Sequence, residues 1–186
     1  MKKNRMFVMS LAVIPLISLV SFSSIVETGP GPKTAAMIAD WERAKAYTLE
    51  YLSAATEEVI AYKPTPEMRT FGQQMLHLSE ANYFLSSTAS GKTSPVSFGQ
   101  LEKASGNYKS SETLTKAVMD SYDFVISSLK EFDESKMGEP VKFFNRFDMT
   151  REAGFQKTFE HQTHHRGQTT VYLRLSGVTP PNEKLF

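Results

Sequence analysis

The side chains in this sequence best suited to hold a metal ion are its four histidines. His77 stands alone, while His161, His164 and His165 lie close together near the C-terminus. A neutral imidazole offers a nitrogen lone pair near pH 7 and is the commonest protein ligand for transition metals. Successive residues of a helix turn by about 100°, so His161 and His165 project the same way, Tyr172 shares their sector, and His164 points elsewhere. A His-x-x-x-His pair on one helical face can grip a single ion. A third ligand must come from another segment, and His77 is the histidine available. Three imidazoles suit zinc, nickel, copper or iron(II) and disfavour magnesium and calcium. They also leave coordination positions open, as at a catalytic or substrate-binding ion. The same four residues are compatible with a polar surface patch and one part-buried histidine, and spacing alone leaves both readings open.

Few other residues are candidates for chemistry. Glu80, at i+3 from His77, could orient a ligand or act as a general base, although a solvated helix position is the simpler reading. Tyr172 could donate a hydrogen bond near an open coordination position, or simply pack in the core. Arg166 falls near the Phe155 side of its helix, where a buried guanidinium needs a partner such as Asp40 or Glu42. Gln168 lies one turn beyond His164 and His165 and could support a ligand. Gly167 weakens its helix, and close approach of a neighbouring helix is the expected reason. The sequence has no Cys, which excludes disulfides, thiolate metal sites, cysteine nucleophiles and lipid attachment at a lipobox cysteine. No serine sits in a nucleophile elbow, and there is no phosphate-binding glycine loop.

Four segments with helical periodicity must position these groups. The first is expected over about 34–62, ended by Lys63-Pro64-Thr65-Pro66, and the second over about 70–87. A polar connector rich in Ser, Thr and Gly spans 86–111, with Phe98 and Leu101 forming a short turn of their own. The third helix is expected over 111–132 with Ser111 as N-cap, and the fourth over 150–176 with Thr150 as N-cap and Gly177 as left-handed terminator. The stretch 133–149 reads as a loop that packs back onto the domain. Strand signals are nearly absent. The expected fold is all-α: a four-helix bundle over 33–181, with the long connector as a crossover.

The first residues differ from the rest. Lys2, Lys3 and Arg5 precede an uncharged run from Met6 to Val20, and then small residues, Ser21, Ser23 and Ser24. This is the layout of a signal peptide over 1–24, and the run is short of the roughly twenty residues of a membrane span. An exported, periplasmic or extracytoplasmic protein is therefore expected, with an uncleaved anchor as the alternative. Cleavage would remove three cationic residues and no acidic one, taking the formal charge from +1 to −2. A near-neutral surface without a basic stripe argues against nucleic acid as a partner.

The run from His161 to Pro181, HQTHHRGQTTVYLRLSGVTPP, resembles the C-terminal signature of the DinB-like metal-dependent four-helix bundles. The segment MRTFGQQMLHLSEANYF resembles their other distinctive stretch, with one histidine mid-helix. The similarity extends over roughly 35–181, although the first and third helices match in pattern alone. It implies a metal held by His77, His161 and His165, with zinc or nickel as the ion, and a homodimer. It also implies a thiol-transferase role, using bacillithiol, mycothiol or glutathione, as in some relatives. The open coordination positions suit a metal-dependent enzyme of thiol-transferase or hydrolase type; export and the lack of a clear acid–base partner leave a non-catalytic metal-binding or sensing bundle as the alternative. The signal-like N-terminus departs from the pattern, since low-molecular-weight thiols are abundant in the cytosol.

Overall fold

Helix α1 (Pro32–Ala54) starts on a proline, whose fixed φ suits the first helical position and whose missing N–H is not needed there. Its buried stripe, Trp41, Ala44, Thr48, Tyr51 and Leu52, keeps the three- and four-residue spacing of one helical face. The computed structural model describes residues 29–186, so the expected signal segment lies outside the described residues. No helix among the described residues is long and apolar enough to cross a membrane.

The first helix is not continuous to Tyr62. Ala55 is extended, and the Thr56 side chain accepts from the Val59 N–H at 3.3 Å to start a new short helix, α2 (Glu57–Ala61). Glu57 and Glu58 in its first turn complement the helix dipole. Thus a local cap overrides an apolar periodicity that runs on. Helix α3 (Phe71–Ser90) opens on a full capping box: Gln73 N–H donates to Thr70 Oγ1 at 3.1 Å, and Thr70 N–H donates to Gln73 Oε1 at 3.0 Å. It ends at Gly91, whose φ of 80° is open to glycine without strain. Within the connector lies α4 (Gln100–Lys103), packed on α3. Helix α5 (Ser111–Lys130) is capped by Ser110, one residue before the expected Ser111. Helix α6 (Arg151–Leu175) has the expected Thr150 cap and ends before Gly177 at φ 74°.

The four long helices form the expected all-α bundle. Helix α1 packs on α5 and α6, and α3 packs on the same two, so α1 and α3 stand diagonally. Trp41 anchors the core, with its ring edge-on to Tyr122 and to Phe159, each at 5.5 Å between centroids. The connector from α3 to α5 spans 91–110 and carries residues to the functional face.

The expected loop 133–149 is instead partly an antiparallel hairpin, β1 (Pro140–Phe143) and β2 (Phe147–Thr150), with Phe143 opposite Phe147. Two four-residue strands give too short an alternation to stand out in sequence. Phe143 is buried and fixes the hairpin to the bundle at Gly154: a Cβ there would lie 2.5 Å from the Phe143 ring and 3.2 Å from the Ala89 Cβ. Gly154→Ala should therefore cost about 1–3 kcal/mol, because a fully packed aromatic ring cannot yield that space. A thermal melt unchanged from wild type would show that the ring moves freely.

Arg166 and Gly167 do not behave as expected. Arg166 is buried but pairs with neither Asp40 nor Glu42; its guanidinium lies 4.5 Å from the Tyr47 ring centroid and donates to Gln162 Oε1 at 3.1 Å and Ala44 O at 3.4 Å. Cation–π contact and neutral acceptors take the place of a carboxylate. A side chain at Gly167 would meet nothing within 4 Å, so close helix approach is not its reason, and nothing in the structure explains glycine there.

Candidate metal centre

Helices α3 and α6 pack along their length and bring the three chosen histidines together. One ligand nitrogen from each of His77, His161 and His165 can be chosen so that all lie within 4.8 Å of one another. Ring centroids are 5.3 Å apart for His77 and His161, 4.6 Å for His77 and His165, and 4.2 Å for His161 and His165. His164 is exposed, as its helical phase requires, and its Nε2 meets the Gln168 amide nitrogen at 3.1 Å.

Each ring is held differently. His77 Nδ1 lies 3.3 Å from Glu102 Oε2, which leaves Nε2 for ligation. Glu102 is itself gripped by Arg69, with Nε at 2.7 Å and Nη2 at 3.3 Å from its two oxygens. His165 Nδ1 meets the Gln74 amide nitrogen at 2.7 Å, and Gln74 is bonded in turn to Gln168. With that nitrogen donating, the neutral ring carries its proton on Nε2. Ligation through Nε2 needs the opposite amide orientation, with the Gln74 oxygen accepting from Nδ1–H. His161 Nδ1 is buried with no hydrogen-bond partner.

Glu80 is buried rather than solvated. Its two oxygens accept from the Gly99 N–H at 3.0 Å and the Glu102 N–H at 2.8 Å. It thus pins the connector to α3 and sets Glu102 beside His77. His77, Glu80 and Glu102 also lie close enough to form a second potential cluster, but both Glu80 oxygens are engaged by backbone N–H groups. Tyr172 is a core residue whose hydroxyl donates to the Arg69 carbonyl at 3.0 Å. Gln74, Glu102 and Arg69 are not among the site residues expected from the sequence. Gln74 was findable, since it lies one turn before His77 on the same face; Glu102 had no periodic signal, because the connector folds onto the site from outside the helical pattern.

Burial pushes the His161 imidazole down to about 4 and the His165 imidazole down to about 3, with the neighbouring histidines adding to the effect. Burial, followed by the Arg69 charge, also lowers His77, against an opposing pull from Glu102. All three rings are therefore neutral at pH 7. Their folded values lie below the ordinary unfolded value of about 6.5, so the unfolded chain takes up protons first on acidification. Stability of the metal-free protein should be complete above about pH 6.5 and fall steadily from there toward pH 4. Melting temperatures across that range would check this, and the slope should flatten when His161 and His165 are both replaced by Gln.

The donor set fits a divalent transition metal: three neutral imidazoles converge, two carry a polar partner on Nδ1, and one has a buried nitrogen without a partner. Residues 40–169 match the sequence profile of the DinB superfamily. The chain belongs to the DinB superfamily. Among solved structures, it is similar to a DinB-like protein from Bacillus cereus ATCC 10987, with 22% identity and a TM-score of 0.65 over 81% of this chain and 97% of that one. It is also similar to a DinB-like protein from Bacillus subtilis, with 14% identity and a TM-score of 0.60 over 81% of this chain and 96% of that one. At these identities the two structures share the DinB-like fold with this chain. No curated protein matches it.

Proposed function

We propose that this DinB-superfamily protein is an exported metal-dependent enzyme of thiol-transferase or hydrolase type, with His77, His161 and His165 holding zinc or nickel. The observation that carries the reading is the convergence of three imidazoles kept neutral by burial, from two helices, with protein groups orienting two of them. A divalent ion held there would act as a Lewis acid that makes a thiol or water nucleophilic near neutral pH. Glu102 holds His77 by its Nδ1–H, and Gln74 fixes the His165 ring. Arg69 holds Glu102 in place and, with Tyr172, Gln74 and Gln168, lines a cleft of about 550 Å³ beside the centre. Export rests on the basic start and the uncharged run of 6–20, and a homodimer is proposed with it.

One observation favours a second reading, a non-catalytic metal-binding or sensing bundle. Both acid–base candidates are already engaged: Glu80 by two backbone N–H groups, and Tyr172 by the Arg69 carbonyl. Metal analysis of untagged protein, followed by a turnover screen of thiol conjugation and hydrolysis before and after chelation, separates the readings. The enzyme reading expects stoichiometric metal and turnover that chelation abolishes and added metal restores. Bound metal without turnover in any class leaves the sensing role, and a purified protein that takes up no metal excludes both.

A further inference from the structure

A second cavity opens beside the metal centre, at His161. It measures about 400 Å³ and is walled by Leu85, Phe143, Phe144, Phe147 and Met149, with His161 among its lining residues. Lys157 and Glu160, which pair with each other at 2.6 Å, and His164 complete its border. The volume is that of a small-molecule site, and the mix of an apolar wall with a few polar groups at one side is the usual character of such sites.

The hairpin tip that builds this wall is strained and exposed. Phe144 has φ 52° and Asn145 φ 54°, with the turn closed by Arg146 N–H donating to Phe143 O at 3.0 Å. Turns with two residues in the left-handed region favour Asn and Gly, and a bulky aromatic there is strained. The Phe144 ring lies 4.9 Å from the Phe84 ring, beside Phe98 of the connector, while Phe144 and Phe147 remain about half exposed, at 54% and 49%. Strained backbone that exposes apolar surface next to a ligand-binding centre is the pattern of a binding wall rather than of a stabilising core.

We propose that this cavity receives the apolar end, an aromatic ring or branched alkyl group, of a small molecule whose polar end is a metal-binding donor at the three-histidine centre. The inference rests on the metal reading above and names its substrate class. A small molecule is favoured over a second copy of the chain because the apolar side chains share one pocket with a proposed metal ligand, His161, so a group seated against them lies beside the metal centre.

The test uses the nickel-loaded protein and two probes with the same metal-binding group, acetohydroxamate and benzohydroxamate. Their affinities are read by the nickel absorption bands. Wild type should prefer benzohydroxamate roughly ten- to fifty-fold, the gain expected from burying a phenyl ring. Phe147→Ala combined with Phe144→Gly, which keeps the turn because glycine adopts positive φ freely, should cut that preference to roughly threefold or less at unchanged nickel stoichiometry. Equal binding of the two probes by wild type, or a preference that survives the double variant, overturns the cavity proposal and leaves the metal reading intact. Failure to load nickel or zinc overturns both. A wild-type dimer that the double variant dissociates, with no change in probe preference, would assign the patch to self-association instead.

Discussion

Replacing His165 with alanine should strip the protein of stoichiometric metal. The ring is the most deeply pushed of the three toward its neutral form, and once the Gln74 amide is turned so that its oxygen accepts from Nδ1–H, Nε2 is free to ligate. Losing one of three protein ligands should lower affinity on the order of a hundredfold or more, since metal affinity is the sum of few strong bonds. Competition with a chromophoric chelator measures this directly. His164→Ala is the matched control, because His164 is exposed and its nearest nitrogen contact is Gln168 on its own helix. It should retain metal at wild-type stoichiometry. Equal losses in the two variants would mean that the cluster binds loosely through whichever imidazoles are nearby, and the three-ligand geometry would be wrong.

Glu80→Ala should be among the most destabilising single changes outside the apolar core. It removes a buried side chain that accepts from two backbone N–H groups, those of Gly99 and Glu102. Two part-buried donors left without the Glu80 carboxylate cost roughly 1–4 kcal/mol together, against a total stability of only about 5–15 kcal/mol for a domain. The melting temperature should fall by about 5 °C or more, as the entropy of unfolding for this size predicts. A second effect distinguishes this from ordinary core damage. Once the connector is released, Glu102 no longer lies beside His77, and metal affinity should fall roughly tenfold, as for loss of a group that orients a ligand. Glu80→Gln keeps an acceptor oxygen and the side-chain shape, so it should recover part of both losses. Metal affinity unchanged in Glu80→Ala would show that the connector does not position His77.

The sequence carries the site unevenly from residue to residue. His161, His165 and His164 were sorted by helical phase, because a helix fixes the relative direction of its own side chains through local geometry alone. His77 was assigned to the same cluster by elimination, and the packing of α3 on α6 is what places it there. The sequence alone suggests a solvated Glu80, because its own helix gives no sign of the segment that covers it; the connector folds over it from outside the periodic pattern. Arg166 illustrates a different limit. Burial of a guanidinium can be met by a tyrosine face, a glutamine and a carbonyl as well as by a carboxylate, and sequence cannot choose among them.

The sequence by itself determined four long helices, the Thr150 cap, the terminator Gly177 and the face on which His161 and His165 stand. Each of these follows from interactions within a few residues along the chain. The break after Ala54, the hairpin beyond α5, the buried role of Glu80 and the placing of Glu102 and Gln74 against the imidazoles were decided by tertiary structure. Those features depend on which groups from distant segments meet when the apolar stripes are buried, and on which buried polar atoms must then find partners.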